Sequence, residues 1–133
     1  MAMANKALKP GEVPVDVSLE DQRRICAFSR LHKRVFYLTS LQKLLRDDIE
    51  KLDDAITEVM ISEEGEVLYV FGESFVKLED NDAVSTHLEE EKAVLEGDLA
   101  KVDEELASRK AEQGTLKAEL YAKFGSQIYL EAE

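Results

Sequence analysis

Between Leu19 and Ile61 the chain runs 43 residues without a single glycine or proline. Apolar side chains recur along that stretch in a strict seven-residue pattern. With Phe28 at position a, the a sites are Phe28, Val35, Gln42, Ile49 and Ile56, and the d sites are Leu31, Leu38, Leu45, Leu52 and Val59. Nine of these ten are apolar, and only Gln42 interrupts the row. Repetition at this purity over five heptads predicts a coiled-coil helix. At 1.5 Å per residue it would be a rod of roughly 65 Å, too long for the core of a small globule. Ser18 and Asp21 before and within its first turn have the spacing of a capping box.

A second heptad row follows. With a at Lys92, the a sites continue as Leu99, Leu106, Gln113 and Leu120, and the d sites are Leu88, Leu95, Val102, Arg109 and Leu116. Seven of the ten are apolar, and Gly97 and Gly114 fall at outward positions. Asp80, Asn81 and Asp82 are N-cap candidates, and Gly125 suits a C-cap after Phe124. Two helices of similar length joined by a hairpin must run antiparallel, and if the seam is continuous the numbers of facing residues add to about 144. Arg109 and Gln113 then face Val35 and Leu31. The packing is expected to be tightest near the connection and looser toward the chain ends.

The connection is "SEEGEVLYVFGESFVKL", residues 62–78. It reads as a β-hairpin turning at Phe71-Gly72-Glu73-Ser74, with Gly72 where a type II′ turn favours glycine. Val67, Tyr69 and Phe71 point to one face of the first strand, Leu68 and Val70 to the other. An isolated two-stranded hairpin is marginal in water and has two open edges. The chain has little to cover them with, so other chains are expected to extend this hairpin into a closed barrel. Val67, Leu68, Tyr69, Val70, Phe71, Phe75, Val76 and Leu78 would form the subunit interface. The fold class is thus mainly α: a long antiparallel two-helix coiled coil joined by one β-hairpin that completes an oligomeric β-barrel. The divisions are a flexible N-terminal lead at 1–17, the first helix at 18–61, the loop and hairpin at 62–79, the second helix at 80–125 and a C-terminal tail at 126–133.

Charge narrows the function. The net charge is −12, and residues 35–133 carry 25 acidic against 10 basic side chains, which disfavours nucleic acid as a partner. A nucleic-acid-binding helical arm would need Lys and Arg along one face, and the acidic middle of the chain argues against it. No apolar run suits a signal peptide or membrane span, and Cys26, the single cysteine, can form no disulfide within the chain. The acidic stretches "RDDIEKLDD" and "HLEEEK" lack a nucleophile, a base or a pocket, and read as solvated faces rather than catalytic or metal-binding sites. His32 and His87 have no second ligand at metal spacing and read as surface residues. No glycine loop could cradle phosphate. No enzyme activity and no cofactor are expected.

Two end segments carry a specific resemblance. "LYAKFGSQIYLEAE", residues 120–133, is similar to the C-terminal signature of a β-type prefoldin subunit, and "VSLEDQRRICAFSRL", residues 17–31, resembles the start of its first helix. The family usually begins that helix with Phe-Glu-Asp-Gln, where this chain has Leu19-Glu20-Asp21-Gln22. The resemblance covers roughly residues 15–133. It implies a cytoplasmic heterohexamer of two α-type and four β-type subunits, this chain with two α-type and three further β-type partners. It further implies an ATP-independent holdase that passes unfolded actin- and tubulin-class clients to the group II chaperonin. Clients would meet apolar residues at the coiled-coil tip: Ile25, Phe28, Leu120, Tyr121, Phe124, Ile128, Tyr129 and Leu130. The competing expectations are that these residues simply close the end of the coiled coil, and that the chain is a structural coiled-coil adaptor of a prefoldin-like scaffold without holdase activity.

Overall fold

The structure, a computed structural model, describes residues 4–5, 11, 13–61, 67–71, 74–78 and 81–130, with the backbone alone at 4–5, 67–71, 74–78 and 81. Strand β1 (Ala4–Asn5) precedes helix α1 (Leu19–Ile61). Strands β2 (Val67–Phe71) and β3 (Ser74–Leu78) follow, then helix α2 (Asn81–Phe124), a single 3-10 turn (Gly125–Gln127) and strand β4 (Ile128–Tyr129). Compactness divides the chain into two units, Met1–Thr39 with Glu104–Glu133 and Ser40–Asp103, and both helices run through both.

The start of α1 closes as its sequence requires. The Ser18 N–H donates to Asp21 Oδ2 at 3.0 Å, and the Asp21 N–H donates to Ser18 Oγ at 3.1 Å. Each side chain thereby satisfies a backbone donor that the first helical turn leaves unpaired. At the other end, α2 stops where Gly125 takes a φ of +54°, a left-handed conformation that a residue with a Cβ adopts at a cost.

Within each unit the two helices pack through the heptad seam. All twenty a and d residues are buried or half-buried, the polar ones included. Polar contacts across the helices fall on the antiparallel register: His32 with Gln113 in the first unit, Gln42 with Asp103 and Asp53 with Lys92 in the second. Gln42 breaks the apolar row, yet its amide donates to Asp103, and such a polar pair at an a site favours one register over its neighbours. Lys92 reaches out of its a site to Asp53, and that carboxylate holds its pKa above the ordinary lysine value. His32, expected at the surface, is half-buried, and burial lowers its pKa.

In the second unit Ile56, Val59, Val84 and Leu88 form the core at the hairpin end of the helices. The hairpin is antiparallel, with Phe71 opposite Ser74, Val70 opposite Phe75 and Tyr69 opposite Val76. Gly72 and its turn type lie outside the described residues, as does Asp80.

The chain-end unit departs from expectation in two ways. The packing was to loosen outward, and at Arg109 it does: a groove of about 410 Å³ opens there, lined by Ala27, Leu31 and Leu116 among others. Toward the chain ends, however, Phe28, Leu120, Phe124, Ile128 and Leu130 close into one buried cluster. The lead at 1–17, read as flexible, contributes β1, which pairs antiparallel with β4. The cause is the 3-10 turn, which redirects the tail so that Ile128 and Leu130 are buried.

Candidate functional site

The sequence nominates two surfaces, the hairpin and the chain-end tip. At the hairpin the structure provides a backbone ladder from Val67 to Leu78. The side chains of the eight interface candidates, Val67, Leu68, Tyr69, Val70, Phe71, Phe75, Val76 and Leu78, lie outside the described residues. The last two described residues of α1, which precede the hairpin in the chain, are apolar and open: Met60 is 73% exposed and Ile61 is 74% exposed. The heptad pattern does not assign them to the seam, so their exposure was missed; their signal is an apolar pair just beyond the last d site.

The buried tip cluster is built from three pieces of chain. Phe28 comes from α1, Leu120 and Phe124 from the last turns of α2, and Ile128 and Leu130 from the tail. These five form one closed cluster, with Phe28 and Leu120 only 1% exposed. Val15, Ile25, Leu116 and Tyr121 pack around it, half-buried. Tyr121 keeps its polar end satisfied, its hydroxyl accepting the Leu130 N–H at 3.0 Å. Tyr129 is half-buried within β4. Of the eight tip candidates, five are therefore interior and three are half-buried. Larger apolar exposures lie at Val13 in the lead, at Leu19, Phe36, Tyr37 and Leu44 on α1, and at Val94 on α2. Phe36 and Tyr37 sit at outward b and c positions, where an aromatic is legible as unusual on a coiled coil's solvent side.

An ionic latch ties the tip from the side. Asp21, 1% exposed, accepts hydrogen bonds from Lys123 in the last turn of α2 and from Arg24 on its own helix. Its pKa is lowered from the ordinary 3.8 to about 2. The Lys123 hydrogen bond is the main cause and the Ser18 backbone N–H the next, with burial opposing both. A carboxylate depressed in this way adds stability that is complete above its unfolded value and is lost as the pH falls. The melting temperature is thus expected to fall progressively between about pH 4 and pH 2. Asp21→Asn should flatten that fall and lower the melting temperature at neutral pH. Parallel melting-temperature curves for the two proteins would show that Asp21 carries no such linkage.

Among the described residues no group of three or more His, Cys, Asp or Glu side chains could hold a metal ion. Also among these residues, no helix is long and apolar enough to cross a membrane. Cys26 is exposed on the outer side of α1.

The described geometry comprises paired helices, a hairpin ladder and a closed apolar end. A family model described as prefoldin subunit matches residues 22–127. The chain belongs to the prefoldin family. Prefoldin subunit 4 of Homo sapiens is 29% identical over 133 residues, covering 98% of each chain. The probable prefoldin subunit 4 of Drosophila melanogaster is 34% identical over 122 residues, covering 90% of this chain and 86% of its own. Prefoldin subunit 4 of Saccharomyces cerevisiae is 33% identical over 116 residues, covering 86% of this chain and 89% of its own. Likeness to these prefoldin subunits extends through both helices and the hairpin.

Proposed function

We propose that the chain is a β-type subunit of a prefoldin chaperone complex, a heterohexamer with two α-type and three further β-type subunits. The observation that carries this reading is the family match across residues 22–127, joined to relatives that bear the name prefoldin subunit 4. The hairpin is the assembly element. Among the described residues its two strands pair only with each other, leaving outer edges that neighbouring subunits would pair, and exposed Met60 and Ile61 at the end of α1 would add apolar surface.

In this reading the complex is an ATP-independent holdase in the cytoplasm. It captures unfolded clients of the actin and tubulin class at its coiled-coil tips and hands them to the group II chaperonin. Weak contacts at several tips would combine by avidity, so no single tip needs a large open apolar face. Ile25, Tyr121 and Tyr129 are the candidates that meet a client first, with Phe28, Leu120, Phe124, Ile128 and Leu130 reached as the tip opens.

One observation favours a second reading, a structural adaptor without holdase activity: five of the eight tip candidates are interior. An aggregation assay separates the two. Light scattering of a chemically denatured client, diluted into the assembled complex, should be suppressed at near-stoichiometric ratios without nucleotide. A complex that assembles fully and leaves aggregation unchanged would establish the adaptor.

A further inference from the structure

The tip cluster is closed by a segment that has the chemistry of an unfolded chain. The Gln127 side chain holds the backbone on both sides of Pro14: Nε2 donates to the Val13 carbonyl at 2.8 Å, and Oε1 accepts the Val15 N–H at 3.0 Å. Both bonds go to main-chain groups, so the glutamine reads extended backbone and not side-chain identity. Pro14 has no N–H to satisfy, and it biases Val13 before it toward the extended region. Val15 adds one apolar side chain to the edge of the Phe28–Leu120–Phe124–Ile128–Leu130 cluster. Gly11, at a φ of +87°, makes a bend that glycine adopts freely. Ahead of it, Ala4 and Asn5 pair with Tyr129 and Ile128, adding a strand to β4.

The hold is slight. Val13 is 77% exposed, and the bonds that retain the segment contribute little net against water. Release would uncover β4's edge, the Gln127 amide and the rim of the apolar cluster together. Those three features recognise an extended peptide with an apolar residue at the Val15 place, whatever its sequence. Resting on the client capture proposed above, we propose that Ala4–Asn5 and Val13–Val17 form a strap that occupies the client site in cis, and that an extended segment of unfolded polypeptide binds by displacing it. A tethered strap competes at high effective concentration, so single weak segments are rejected and clients engaging several tips succeed. The strap also keeps the cluster covered between clients, which restrains self-association.

Two variants, each studied in the assembled complex, test this with a fluorescent, reduced and carboxymethylated protein as a permanently unfolded probe. In Cys26→Ser with Ala4→Cys and Tyr129→Cys, the new cysteines face each other in the β1–β4 register, and oxidation locks the strap. Anisotropy titration should show binding about tenfold weaker when oxidised than after reduction. Removing residues 1–16, which leaves the Ser18 cap in place, should tighten binding about fivefold relative to the full chain by ending the competition. Equal affinity in the oxidised and reduced forms, with the probe bound in both, would overturn the strap while leaving client capture intact. Failure of the cysteines to join would overturn it as well. Absence of probe binding in every form, the strapless one included, would refute capture at the tip and the strap with it.

Discussion

Phe71→Asp combined with Val76→Asp should abolish incorporation of this chain into the proposed complex while the helices persist. Phe71 ends β2 and Val76 lies in β3 opposite Tyr69, so the two substitutions place a charge on each strand of the hairpin. If neighbouring subunits cover the hairpin, each aspartate must be desolvated without a partner, and a few kcal/mol per buried charge suffices to prevent association. The helices depend on other residues. Their seam at the hairpin end is Ile56, Val59, Val84 and Leu88, none of which is altered. Co-expression with tagged partner subunits should therefore recover wild-type chain and no double mutant, whereas far-ultraviolet circular dichroism of the isolated mutant should retain its helical signal. Normal co-purification of the double mutant would remove the hairpin from the assembly surface.

Phe28→Ala should open the chain-end tip. Phe28 is 1% exposed and is the one residue α1 contributes to the buried cluster, the other four coming from α2 and the tail. Truncating a fully buried phenylalanine costs about 3–5 kcal/mol, because the lost contacts and the cavity left behind add together. The loss should appear as local opening before global unfolding, since the second unit has its own core at Ile56, Val59, Val84 and Leu88. Hydrogen exchange of amides in residues 116–130 should accelerate by about 100-fold or more, with residues 84–102 much less affected. Phe36→Ala is the matched control: 71% exposed on the same helix, it should change stability by no more than about 0.5 kcal/mol. Equal exchange rates for wild type and Phe28→Ala across 116–130 would mean that the cluster does not hold the tip.

The opened variant also bears on client capture. If the interior tip residues bind clients when exposed, Phe28→Ala loses one contact but makes the others easier to reach. The adaptor reading gives no such gain. The aggregation assay applied to this variant thus adds an independent comparison.

Much of the architecture was legible because it is local or periodic. A seven-residue repeat assigns each side chain to the seam or the solvent without knowledge of the partner helix, and all twenty assigned seam residues are buried or half-buried. Caps are equally local: Ser18 and Asp21 satisfy each other's backbone within one turn, and Gly125 terminates α2 through its own φ. Less of the tip was legible. The heptads place Phe28 and Leu120 on the seam but are silent on residues past Phe124. A weaker signal was present, since Val13, Val15 and Val17 alternate, as do Ile128 and Leu130, and alternation is the period of a strand. Runs that short do not reveal what they pair with.

The amino-acid pattern alone was enough to specify two long helices, their antiparallel register and the caps at Ser18 and Gly125, because each depends on residues within a few turns of one another or on a repeated period. Only the folded chain decided that the tip is closed. The bonds from Gln127 to Val13 and Val15, and from Lys123 to Asp21, join residues more than 100 positions apart. Contacts of that kind follow from where the antiparallel helices bring the two chain ends, and no local preference encodes them.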